Sequence, residues 1–213
     1  MTEPDVTLTD YGLAILCAVL AHLIFHRGDR ASPYRLWLAA FFLAAGAAPL
    51  FGGTVHGFFS DEASLGHRIL WPATMVSIGA AALAAWAIGA RLLFSETTRR
   101  VIIGLASIQL VAYTTVVLVA SQDFRWAIGD YLPATLFLLG ALLVANRRER
   151  ARPLVIAAGG LALTFVAAAI QQLQVPLHPT YFDHNALYHV IQAVALLMFF
   201  VGARYLASEV RVP

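Results

Sequence analysis

The chain has 213 residues, of which 60% are hydrophobic and only 12% charged, with a formal net charge of +2. Ordinary soluble domains carry about 25% charged residues, and a water-soluble fold of this size has too little interior to hide so much apolar surface. Composition therefore excludes a soluble globular protein. It predicts an all-α integral membrane protein with no separate soluble domain.

The opening MTEPDVTLTD is acidic and lacks the basic start of a signal peptide, so the apolar run after it reads as a retained helix. Runs of mostly apolar residues long enough to span a bilayer predict seven transmembrane helices. They cover about 10–26, 35–59, 68–94, 99–121, 125–146, 151–173 and 184–206, joined by short connections in one bundle. Cys17, in the first span, is the only cysteine. It rules out an internal disulfide and a cysteine-based metal site. The second, third and sixth spans hold small-residue runs, FFLAAGAAPLFGG, SIGAAALAAWAIGA and AAGGLAL. Such residues let helices approach closely in lipid, where packing drives association. Pro49, Pro72 and Pro133 are expected to kink the second, third and fifth helices. Asp130 falls near the start of the fifth helix. Gln171, Gln172 and Gln174 close the sixth, as pocket-lining groups or as interhelical hydrogen-bond partners.

The arginines set the orientation. Arg27, Arg30, Arg35, Arg91, Arg99, Arg100, Arg147, Arg148, Arg150, Arg152, Arg204 and Arg211 fall on one side, and only Arg68 and Arg125 on the other. The positive-inside rule predicts an N-terminus outside and a C-terminus in the cytoplasm. Topology accounts for these charges, so nothing here points to nucleic acid. The single cysteine and short tails lean towards a bacterial plasma membrane.

His56, His67, His178, His184 and His189 all fall on the outer side, with Asp61, Glu62 and Asp183. Asn185 and His189 are four apart and share a helix face, as do Gly52 and His56. If the second, third and seventh helices are neighbours, His56, His67 and His189 converge. Three imidazoles suit zinc, with a fourth position left to water. Asp61 or Asp183 would then act as base or orient a histidine, and Asn185 would donate to a developing oxyanion. The alternative is plain: histidines at helix ends are common interfacial residues. His178, His184, His22 and His26 fit that description.

Seven spans, GGTVH late in the second helix and NALYH at the start of the seventh resemble the superfamily of alkaline ceramidases and progestin/adipoQ receptors, known as CREST. The resemblance implies a zinc site with His56 and His189 as ligands, and hydrolysis of a lipid amide by zinc-bound water. Gly52 stands where that family has a serine, Asn185 where it has the first helix-seven histidine, and His67 where a ceramidase has an aspartate. His67 is then the candidate replacement ligand.

Two functions follow as expectations. The first is a zinc-dependent hydrolase of a lipid amide or ester, with membrane lipids as partners. The second is a non-enzymatic seven-helix protein that binds or senses a lipid or ion in the same pocket. A retinal protein of the usual kind is excluded, because its Schiff base needs a lysine and all 14 basic residues are arginine.

Overall fold

The computed structural model describes residues 1–178 and 181–208; Arg211 lies outside them. Within the described residues the chain forms seven helices: α1 Pro4–Arg27, α2 Arg35–Phe58, α3 Leu65–Leu93, α4 Glu96–Thr115, α5 Arg125–Glu149, α6 Arg152–Gln172 and α7 His184–Ser208. A π-helical turn, Val116–Ala120, extends α4. All seven are long and apolar enough to cross a membrane. The architecture is that of a multi-pass membrane protein.

The largest boundary difference from the sequence reading is at the start of α1. The apolar run begins near residue 10, but the helix begins at Pro4. Proline is preorganised for the first helical turn, where its missing N–H is not needed, and Asp5 in that turn suits the positive end of the helix dipole. The extra turns carry Thr7 into the bundle beside Asp10, where the two are 0% and 3% exposed.

Six helices close a ring: α1 packs on α2, α2 on α3, α3 on α5, α5 on α6, α6 on α7, and α7 back on α1. α4 stands outside the ring, against α3, with few of its residues buried. Close approach depends on small residues, as the sequence suggested. A Cβ at Gly46 would sit 2.7 Å from Cys17 Cβ, and one at Gly53 would sit 2.6 Å from Asp10 Cβ. At Gly160 it would be 2.5 Å from the Ala195 carbonyl oxygen. α2 therefore lies almost backbone to backbone on α1, as α6 does on α7.

The arginine-rich end is tied into one layer. Arg35 Nη1 donates to Phe25 O at 2.7 Å, Ser32 Oγ to Leu206 O at 2.9 Å and Tyr34 OH to Arg91 O at 3.2 Å. The ring interior on this side is filled by Leu38, Phe41, Phe42, Leu138, Leu142 and Phe199, each 0–1% exposed. The Phe41 and Phe199 rings lie 5.1 Å apart and tilted, as close-packed aromatics do. The opposite half of the ring is not filled, and the candidate site lies there.

Candidate ligand site

A cavity of about 430 Å³ occupies the half of the ring near the N-terminus, lined by residues of every ring helix and none of α4. Its walls are mostly apolar: Leu13, Ala48, Ile78, Ala81, Phe165 and Leu196 among others. Polar groups come from Asp10 on α1, His56 on α2, Trp71 and Thr74 on α3, Gln171 on α6, and Asn185, His189 and Gln192 on α7. Asn185, His189 and Gln192 recur at helical spacing, so α7 presents one polar stripe to the cavity.

His189 is held by α1 through both ring nitrogens. Thr9 Oγ1 lies 2.8 Å from Asp5 O and 2.9 Å from Val6 O, so its one hydrogen is used on its own helix. It therefore accepts from His189 Nδ1, at 3.1 Å. His189 Nε2 lies 3.1 Å from Asp10 Oδ1, with both side chains largely buried. That contact needs one hydrogen, carried by either partner. His56 has its own carboxylate: its Nδ1 lies 2.7 Å from Glu3 Oε2. Gln171 Nε2 donates to Asn185 Oδ1 at 3.3 Å, joining α6 to α7 at the same level.

The structure thus brings His56, His189 and Asn185 to one cavity. His67, Asp61 and Asp183 do not line it. His67 sits in the first turn of α3, which Ser64 caps: its Nδ1 lies 3.1 Å from Phe59 O, and its ring lies 6.0 Å from that of Trp71, a residue of the cavity wall. Asp61 is exposed and accepts from Ala63 N at 2.9 Å in the turn before α3. Asp183 accepts from Ala186 N at 2.8 Å, the bond of a helix N-cap. The reason is the ring order. α3 packs on α2, α4 and α5, while α7 packs on α6 and α1. α1 therefore supplies the groups that face His189.

Three neutral nitrogens with converging lone pairs are what zinc would need. Here both nitrogens of His189 are engaged by α1, and His67 does not line the cavity that His56 and His189 share. Among the described residues, no group of three or more His, Cys, Asp or Glu side chains is arranged to hold a metal ion. As arranged, the three-histidine set does not fit zinc.

Sequence reasoning missed Glu3, Thr9, Asp10 and Gln192. A signal for Asp10 was available: it shares a helix face with Leu13, Cys17 and Leu20, all buried. Gln192 follows His189 by three and Asn185 by seven, on the face already recognised as polar. Gln171 and Gln172 do line the cavity, whereas Gln174 is exposed in a turn with φ 54°.

Fold and cavity together define a seven-helix membrane protein with a partly open, apolar-walled and polar-tipped cavity. The chain belongs to the family of unknown function DUF6962, whose family model matches residues 6–208. No curated protein and no solved structure matches the chain.

Proposed function

We propose that this protein binds an amphipathic, single-chain lipid-like ligand in the ring cavity, with its N-terminus and the cavity on the extracytoplasmic side of a bacterial plasma membrane. The carrying observation is an apolar-walled cavity of about 430 Å³ in which polar groups from five helices converge. Pockets of this size and lining are the usual form of a small-molecule site. The aromatic and leucine packing of Phe41, Phe42, Phe199 and Leu138 beyond it favours a dead-ended pocket over a transport path. The arginine asymmetry supports the orientation.

The test is the lipid carried by the purified protein, measured by mass spectrometry of an organic extract beside Gly52→Leu. Gly52 lines the cavity, and a Cβ there meets Thr74 Cγ2 at an ordinary 3.5 Å. The rest of the leucine then grows into the cavity. The wild type is expected to carry a defined single-chain lipid that Gly52→Leu lacks. Identical extracts from the two proteins would defeat the reading.

One observation favours a second reading, hydrolysis of a lipid amide or ester in the same cavity. Asp10 lies on the cavity wall and is held by His189 Nε2, and a carboxylate positioned in this way is a candidate general base. Release of fatty acid from a long-chain amide or ester, lost in His189→Gln, would support it. No release from either class would remove it.

A further inference from the structure

The cavity holds polar groups that neither helix packing nor the histidine pairs use. Gln192 is 7% exposed and lines the cavity one turn beyond His189, and its Oε1 is buried with no hydrogen-bond partner among the described residues. A buried amide oxygen in that state is costly unless something meets it. On α2, Ala45 and Pro49 also line the cavity. Proline has no N–H, so the Ala45 carbonyl lacks its usual helical donor four residues on. Two of the residues lining this space therefore carry acceptors without their ordinary donors.

Charge narrows the ligand further. No arginine lines the cavity among the described residues, and Asp10 is the carboxylate in its wall. His56 and His189 each face a carboxylate, Glu3 and Asp10, so neither pair offers a net positive charge. An anionic head placed here would be desolvated beside Asp10 with no cation to pair with.

We propose that the bound ligand carries an uncharged or cationic head that donates hydrogen bonds, a long-chain alcohol or amine, with Gln192 and the Ala45 carbonyl as its acceptors. Free fatty acids and phosphate-bearing lipids are rejected. This rests on the lipid-binding reading above and names the head group that the pocket selects.

The experiment uses the full chain in nanodiscs of zwitterionic lipid. A fatty alcohol, a fatty amine and a fatty acid of one chain length are added at neutral pH, and occupancy is read by native mass spectrometry. Alcohol and amine are expected to bind at least about tenfold more tightly than the acid. Gln192→Leu, similar in size and without the amide, is expected to weaken alcohol binding by about tenfold. Thr115→Val, on α4 outside the ring and with its hydroxyl bonded to Val111 O, should leave alcohol binding within about twofold. Acid binding as tight as alcohol overturns the head-group assignment and leaves the binding reading intact. Alcohol binding unchanged in Gln192→Leu overturns the role of Gln192. If none of the three probes binds, the lipid-binding reading itself falls, and this inference with it.

Discussion

Asp10 is the residue on which most of the site depends. It is 3% exposed, packs against Gly53 of α2, and meets His189 of α7, so it joins three helices at the edge of the cavity. Removing one partner of a buried polar pair leaves the other unsatisfied, which costs more than the pair's net worth. Asp10→Ala is therefore expected to lower stability by about 3 kcal/mol. Asp10→Asn, which keeps a hydrogen-bonding group at His189, should lose about 1 kcal/mol. Thermal unfolding in detergent measures both. If the contact is the cause, His189→Leu added to Asp10→Ala should cost far less than it does alone; simple additivity would show that the two side chains act independently. The histidines carry a second prediction. Because His67 lies outside the cavity and His189 is engaged at both nitrogens, protein purified without chelator should contain well under one zinc per chain by elemental mass spectrometry. A full equivalent, lost in both His56→Ala and His189→Ala, would restore the three-histidine reading.

Among the helices, small residues decide which pairs touch. A Cβ at Gly160 would lie 2.5 Å from Ala195 O and 2.9 Å from Phe199 N, both backbone atoms that cannot rotate away. Gly160→Ala is expected to force α6 and α7 apart and cost about 1–3 kcal/mol. Gly104→Ala on exposed α4, with nothing within 4 Å of its Cβ, should be neutral or slightly stabilising, since alanine is the better helix former. Equal melting temperatures for the two variants would contradict close packing at Gly160. The same pair of cases shows what the sequence discloses. GG in AAGGLAL announces a helix contact, but not that Gly160 faces α7 while nothing approaches Gly104. Seven spans were legible because apolar length is a strong signal. The start of α1 was not, because TEPDVTLTD is polar and reads as a tail. Its six extra residues put Thr7 and Thr9 on the helix ahead of Asp10, and without them His189 Nδ1 has no visible partner. Ring order was equally hidden. Nothing local in the chain states that α1 stands beside α7, and that adjacency is what directs His189 to Asp10 in place of His67.

For the molecule as a whole, the two ends differ in kind. One end is arginine-rich, tightly bonded and filled; the other is acidic and histidine-bearing, and holds the cavity. A charge difference of this form is what orients a helical bundle during insertion, and it determines which compartment supplies the ligand. The proposed orientation can be read with two single cysteines, because native Cys17 is 0% exposed and should not react. Ala63 lies exposed between α2 and α3 at the cavity end, and Ser95 lies exposed between α3 and α4 at the arginine end. With a membrane-impermeant maleimide, Ala63→Cys should label in intact cells and Ser95→Cys only after lysis. The reverse pattern would put the cavity at the cytoplasmic face and the arginine layer outside. The positive-inside argument would then fail for this chain, and the ligand would have to come from the cell's own metabolism. Labelling as predicted means the cavity lies in the outer half of the bilayer. A ligand could then enter from outside or from the outer leaflet without passing the packed layer of Phe41, Phe42 and Phe199.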